Sequence, residues 1–420
     1  MQERVKASLT QAADWLASTQ LAGGSWPSDE SRHSEPEDYM TDFVSTAQST
    51  CALILSGNGR HAGSVLNGMG FCADYPLEES DPAVWYAWKL RILKLFNTQS
   101  GERQTKLLIR ALSKKQDAQG FWKVFPTTLN ATNFAAISAL SVTDAGQQLS
   151  RMASWIRRTQ KRDGGWSRSP EVKKSEPPST GDCILSLLLC EDAQDSKAVR
   201  AGIRFLLNSQ QASGGWVSPR IGKQTVYAAA ISTLTLLVTG NDSAADKGIS
   251  FLLDSQAGEG GWPYMKGEKP MYYTTYFATL ALAFWLRLQQ SRSDQTLKKL
   301  SDSVTKQEFA AHLFRQFDAH IRERFGRMLI TGMLDSKAMG STKDAIRRRR
   351  DILKALSEGG PGDTAEVIDR LKLRPEYEHL SKKSHITQIK ADLDYLKDIN
   401  LVSLVRYRYA VVKDFLRGDY

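Results

Sequence analysis

Phe205-Leu206-Leu207-Asn208-Ser209-Gln210-Gln211-Ala212-Ser213-Gly214-Gly215-Trp216 is the stretch whose pattern decides the fold. An apolar pair is followed four residues later by Gln210, and Trp216 stands six residues beyond it, behind glycine. The phrase recurs as Trp15-Leu16…Gln20…Gly24-Ser25-Trp26, Leu112…Gln116…Gly120-Phe121-Trp122, Trp155-Ile156…Gln160…Gly165-Trp166 and Phe251-Leu252…Gln256…Gly261-Trp262. Successive tryptophans lie 96, 44, 50 and 46 residues apart, so the first gap hides a degenerate copy near Val65–Phe71. Six units of roughly 45 to 50 residues mark a repeat architecture.

Each unit predicts a helical hairpin. A helix such as Ala201–Ser209, with Ile203, Leu206 and Leu207 on one face, runs up to the Gln. A Gly-rich turn ends it, as a glycine in the left-handed region can. A second helix, apolar nearly all round, follows: Val44–Leu55, Pro82–Phe96, Asn133–Leu140, Cys183–Leu189, Val226–Val238 and Tyr276–Leu288. Such a helix is buried on most faces, so the second helices form an inner ring. The Gln and Trp side chains have structural roles: the amide bridges backbone groups between units, and the indole packs on the neighbouring turn.

These Gln-x5-Trp units resemble the QW-type repeats of the terpenoid cyclase and protein prenyltransferase superfamily, over roughly residues 1–290. The resemblance implies an α/α toroid whose central cavity holds isoprenoid substrates. The catalytic motifs of that superfamily are absent. No Asp-x-Asp-Asp run, which squalene-type cyclases use to protonate an alkene, occurs in the chain. The carboxylates Glu35, Glu37, Asp38 and Asp42 precede the first inner helix as a solvated loop. Asp-rich diphosphate–magnesium motifs are missing, as is the Cys-Gly-Glu-Gln run of thioester members. Prenyltransferases hold zinc with Asp-x-Cys and a later His. Here Asp182 and Cys183 are adjacent, and Thr274 stands roughly where the His would fall. Adjacent helical residues point about 100 degrees apart, a poor geometry for one ion, so no metal and no cofactor are expected. The polar and aromatic residues near the starts of the inner helices, Asp42, Trp85, Tyr86, Asn133, Asp182, Tyr227, Tyr273 and Tyr276, are candidates to line the cavity.

Working outward to the whole chain, 420 residues at 41% apolar and 24% charged exclude a collagen, a disulfide scaffold and a mostly disordered protein. The longest apolar stretches, Val226–Val238 and Phe277–Trp285, fall short of a membrane span. The start of the sequence lacks a signal-peptide pattern, and Cys51, Cys72, Cys183 and Cys190 form no CxxC pair, so a cytoplasmic location is expected. The net charge of +10 is uneven. Residues 290–420 carry 26 Lys+Arg and 19 Asp+Glu, a net +7, leaving 30 and 27, a net +3, for the rest. A basic third suggests an acidic partner, nucleic acid first.

That third divides further. Residues 291–340 read as a helical connector with Phe309, Leu313, Phe317, Ile321 and Phe325 in a packing stripe. Residues 341–420 predict three helices and a β-wing. The first carries Arg347–Arg350, the second runs from a cap at Asp363 or Thr364 to Leu371, and the third spans Ser384–Ile399. Leu401–Tyr409 then alternates like a strand. This order resembles a winged helix-turn-helix domain, which implies that the third helix enters the major groove. Lys382, Lys383, His385, Thr387, Gln388, Lys390, Arg406 and Arg408 are its candidate nucleic-acid contacts. The expected fold is mainly all-α: a six-hairpin toroid over 1–290, the connector, and a winged helix. The missing motifs favour a non-catalytic sensor or adaptor in bacterial regulation or defence, with DNA or RNA at the C-terminal domain and a protein partner or small apolar ligand at the toroid. A divergent isoprenoid cyclase or prenyltransferase-type enzyme, and a structural subunit of a larger complex, are the alternatives.

Overall fold

A computed structural model describes residues 1–29, 41–96, 99–122, 136, 146–190, 196–293, 306–334, 348–349, 351–353, 355–356, 362–372, 383–398, 402–405 and 408–411. The protein is mainly helical and divides into two units, one of residues 1–56 and 64–317, the other of residues 57–63 and 318–420.

The first unit runs α1 (Gln2–Thr19), α2 (Asp42–Ser56), α3 (Ala62–Asp74), α4 (Ala83–Phe96), α5 (Gln99–Lys115), α6 (Gly146–Thr159), α7 (Pro177–Leu189), α8 (Lys197–Ser209), α9 (Val226–Val238), α10 (Asp242–Ser255), α11 (Tyr272–Ser293) and α12 (Lys306–Arg315). Burial sorts them as the periodicity predicts. Outer α8 buries only Val199, Gly202 and Leu206. Inner α2 buries everything after Asp42, and inner α9 everything but Tyr227. Helix α3 occupies the place of the degenerate repeat. The third inner segment, Asn133–Leu140, lies outside the described residues except for buried Ala136.

Five of the inner positions are therefore seen. Helix α2 packs on α4, α11 on both α2 and α9, and α9 on α7. The last inner helix thus lies against the first. The outer ring closes as well, because the repeat glutamines form a relay. Each Nε2 donates to the glycine carbonyl four residues on in its own turn and to a carbonyl of the next outer helix. The second acceptors are Ser64 for Gln20, Gln148 for Gln116, Ala198 for Gln160, Ala244 for Gln210 and Ser8 for Gln256, all at 2.8–2.9 Å. Gln256 joins the last unit to the first helix across 248 residues.

The tryptophans are as regular. In Trp26, Trp122, Trp166, Trp216 and Trp262 the indole N–H donates to the carbonyl ten residues back, at 2.7–2.9 Å. All five are essentially unexposed. A large apolar surface is removed from water while its one donor stays satisfied. The indole bond thus stays inside the unit; it is the ring that reaches the neighbour, where Trp26 lies over Gly68 and Trp166 over Gly202. The turn differs from expectation in one detail. The Gln itself, in extended backbone, ends the helix, and the left-handed residue is always four after it: Gly24, Gly120, Gly164, Gly214 and Gly260. A Cβ at Gly164 would come within 2.6 Å of the Ala201 carbonyl on the next outer helix. Backbone conformation and close helix approach both demand glycine there.

One end of the inner ring is covered. Helix α12 packs against α7, α9 and α11, with Arg315 Nε donating to the Leu188 carbonyl at 3.1 Å. Phe314 and Phe317 meet Phe284 edge-on at 5.8 and 5.3 Å. These contacts lie toward the C-terminal ends of the inner helices. Two-stranded ribbons, β1–β2 (Val217–Ser218, Lys223–Gln224) and β3–β4 (Trp262–Pro263, Pro270–Met271), lead into α9 and α11 at the other end.

In the second unit lie α13 (Phe317–Leu334, whose first residue falls in the first unit), a helical stretch within 348–356, α14 (Thr364–Lys372) and α15 (Lys383–Asp398). A hairpin of β5 (Val402–Val405) and β6 (Arg408–Val411) follows, in register Val402↔Val411 to Val405↔Arg408. The alternating segment expected over 401–409 thus contributes to both strands of the hairpin. Asp363 and Glu366 form a reciprocal cap at 2.9 Å before α14. Helix α15 packs on α14 and β5. Arg348 and Arg349 both turn toward buried Asp392 of α15, at 2.9 and 2.7 Å. Two members of the four-Arg run therefore hold this unit together. Among the described residues, no helix is long and apolar enough to cross a membrane.

A candidate acid site at the mouth of the inner helices

Helix α7 starts at Pro177, whose fixed φ suits a first turn, and carries Gly181-Asp182-Cys183 toward α9. A Cβ on Gly181 would meet Ile231 at 2.5 Å and Thr235 at 2.9 Å. The bare glycine lets α7 and α9 approach closely and sets Asp182 beside Tyr227. The Tyr227 hydroxyl donates to Asp182 Oδ2 at 3.2 Å. Oδ1 is buried with no hydrogen-bond partner among the described residues. Burial, opposed only by the Tyr227 bond, pushes the Asp182 carboxyl up to about 8. The group is neutral at pH 7, with the proton free to sit on the bare Oδ1. A buried orphan of this kind is costly, and a neutral carboxyl left with one is a candidate for a functional group.

Aromatic rings stand next to this carboxyl. Tyr227 packs on Tyr273 and Phe277 of α11 at 4.8 and 5.1 Å, and Phe277 on Tyr276 at 4.8 Å. Tyr276 meets Trp88 of α4 edge-on at 5.4 Å and accepts a bond from Arg91 Nη1 at 3.2 Å. Arg91 also lies over the Trp88 ring, 5.6 Å from its centroid. Since α2 packs between α4 and α11, these side chains meet across the interior of the ring. On α2, Thr46 and Thr50 point outward, toward Trp26 and Gly68. Gln48, about 200 degrees from either, turns the opposite way, and its buried Oε1 has no partner among the described residues. Asp182 and Tyr276 are buried, whereas Tyr227 and Tyr273 are half-buried. Tyr273 is anchored by its backbone: Asp29 accepts the N–H of Tyr272 on Oδ1 and of Tyr273 on Oδ2, both at 2.8 Å.

Of the cavity candidates, Asp182, Tyr227, Tyr273 and Tyr276 come together here. Asp42 is exposed and accepts the Ser28 N–H at 2.6 Å. Trp85 packs instead on Phe43 and Tyr75, at 6.4 and 6.1 Å. The Tyr86 hydroxyl donates to the Glu78 carbonyl at 2.6 Å, with Lys115 over its ring. Asn133 lies outside the described residues. Trp88, Arg91, Phe277, Gln48 and Asp29 were missed. Arg91 carried a signal, a cation within the apolar run of α4; Asp29 carried none. In the second unit, Thr387, Gln388 and Lys390 are exposed on α15. Lys383 and His385 lie on the same helix and Arg408 on β6, with their side chains outside the described residues, as are Lys382 and Arg406 altogether.

The residues do not fit a prenyltransferase zinc ion. No group of three metal-ligating side chains occurs among the described residues. Burial and the neighbouring Asp182 push the Cys183 thiol far up, away from thiolate. The Thr274 hydroxyl is committed to the Trp262 carbonyl at 2.7 Å.

Residues 64–224 match the squalene-hopene cyclase C-terminal domain, and residues 225–360 the prenyltransferase alpha-alpha toroid domain. Among solved structures the chain is similar to the type II terpene cyclase MstE from Scytonema, at 14% identity over 68% of this chain and 99% of that one, with a TM-score of 0.53. A variant of that cyclase solved with geranylgeranyl dihydroxybenzoate, its substrate, matches at the same identity and TM-score, over 68% and 98%. An unsaturated glucuronyl hydrolase specific for heparin matches at 13%, over 69% and 99%, with a TM-score of 0.55. No curated protein sequence matches. These findings correct the expectation of a non-catalytic sensor or adaptor: the matching family domains and the structural neighbours are those of enzymes. Residues 64–360 thus match squalene-hopene cyclase and prenyltransferase toroid domains in succession, and the fold is of the α/α toroid type.

Proposed function

We propose that the toroid is a cyclase-type enzyme acting on an isoprenoid chain, with Asp182 as the proton donor that starts the reaction. The observation that carries this reading is a buried, neutral carboxyl with one bare oxygen beside a wall of aromatic rings. The Asp182 O–H proton passes to an alkene carbon; the C–H bond forms from the π pair, and a tertiary carbocation is left. Tyr227, Phe277, Tyr276 and Trp88 present ring faces and edges to that cation, and a face lowers its energy. The Tyr227 O–H on Oδ2 and the new cation together stabilise the carboxylate left behind. The cascade ends when the cyclised cation gives a proton to water or a base, and Asp182 is reprotonated from solvent. Arg91, across the ring, suits the polar end of the substrate. The small apolar ligand expected at the toroid is then the isoprenoid itself. The test is turnover of squalene, geranylgeranyl diphosphate and an isoprenoid benzoate by purified protein. Cyclised product should form and fall about 1000-fold in D182N; a D182N protein as active as wild type refutes the assignment.

For the second unit we propose a winged-helix arrangement with nucleic acid as its partner. The succession of α14, α15 and the β5–β6 hairpin favours this, with Thr387, Gln388 and Lys390 exposed on α15. Salt-dependent retention on duplex DNA, lost on Q388A with K390A, is the expected result; no binding at low salt overturns it.

A further inference from the structure

The loop after the first repeat, Pro27-Ser28-Asp29, belongs to no helix, yet it reaches the start of α11. Both Asp29 carboxylate oxygens are used there, one on each of two successive N–H groups, at 2.8 Å. Four orphan donors open any α-helix, and α11 has two of them satisfied by a residue 243 and 244 positions away. The second donor is the backbone of Tyr273, whose ring lies on Tyr227, the phenol that bonds Asp182. The carboxylate and the acid are thus linked through one backbone bond, one ring contact and one hydroxyl.

We propose that Asp29 is a positioning residue for the Asp182 acid: its carboxylate pins the first turn of α11, and through the Tyr273–Tyr227 ring pair it fixes the phenol that holds Asp182. The inference builds on the reading of Asp182 as the working acid, but its test does not need turnover. Asp29 touches no reacting atom. Among the described residues, the Tyr272 phenol on α11 is an ionisable group that feels it, and Asp42 takes the N–H of the neighbouring Ser28. Helix α1 presents uncharged Thr19 and Trp15, the latter stacked on Tyr272 at 5.1 Å.

The protonation states set a working window. Burial raises Asp29 to about 6, against the pull of its two N–H bonds. Below that pH the protonated carboxyl accepts less well, and the first turn of α11 loosens. Above about 8, Asp182 itself gives up its proton. Pinned helix and protonated acid coexist between these limits, so catalysis follows a bell whose acid limb belongs to Asp29.

Infrared difference spectra of the full chain between pH 5 and 10 test this. The protonated-carboxyl band of Asp182 is the one that D182N removes. In D29A the released Tyr273 and Tyr227 admit water, and the half-titration of that band moves to lower pH, at a proton concentration about tenfold higher or more. D29N keeps one cap acceptor and stays between wild type and D29A, which also serves if D29A folds poorly. S196A removes the cap of outer helix α8, where Ser196 accepts the Val199 N–H at 3.3 Å; it lowers the melting temperature and leaves the band in place. A D29A and D29N band that titrates as in wild type overturns the proposal, as does an equal shift in S196A. A moved band in a protein that cyclises nothing keeps the positioning role and refutes only the enzymatic reading.

Discussion

The five Gln–Trp turns and the mouth of the inner helices lie in one unit and obey opposite rules. In the turns each Gln Nε2 and each indole N–H donates to the same kind of carbonyl every time, and each left-handed glycine meets the next helix. At the mouth nothing repeats: one aspartate is neutral with a bare oxygen, and one arginine lies over a tryptophan. Regularity marks what holds the ring, while the site proposed for chemistry is where the repeat pattern is broken. Unsatisfied groups cost stability, and they persist where the surrounding ring over-determines their place.

Substitutions sharpen that contrast. The largest effect is expected from W216A, which empties a fully buried indole site and should cost about 3–5 kcal/mol in denaturant unfolding of the toroid. Next comes G214A: a side chain at φ +89 whose Cβ overlaps the Lys247 carbonyl should cost about 2–4 kcal/mol, and a neutral result would show that the turns tolerate what the geometry forbids. Q210A frees the Gly214 and Ala244 carbonyls and should cost about 1–3 kcal/mol. The last effect has the opposite sign. Because folding raises the Asp182 pKa from 3.8 to about 8, the wild type loses stability as pH rises between those values. D182N escapes this, so it should match wild type near pH 4 and exceed it by several kcal/mol at pH 8.5, seen as a higher melting temperature. A D182N protein less stable than wild type at pH 8.5 would place Asp182 with the structural residues and break the comparison.

The fold was legible because its signals are short. A Gln six residues before a Trp, an apolar face and a run of small residues all act within about a dozen positions, and five copies average out local noise. The degenerate unit was found from spacing alone and is α3. The acid site was legible in part. Asp182, Tyr227, Tyr273 and Tyr276 were named from their places near inner-helix starts, but so were Asp42, Trp85 and Tyr86, which face elsewhere. Helix period says that a residue is near the rim, whereas the azimuth of each inner helix depends on its neighbours.

By itself, then, the sequence determined the repeat, the hairpin unit and the division into outer and inner helices, because these rest on local periodicity and turn chemistry. Only the tertiary structure decided which carboxylate loses its water. Asp182 becomes an acid because Gly181 lets α9 close over it, and Asp29 becomes a helix cap because ring closure brings it to α11. Burial and long-range approach are properties of the closed ring, and no single repeat contains them.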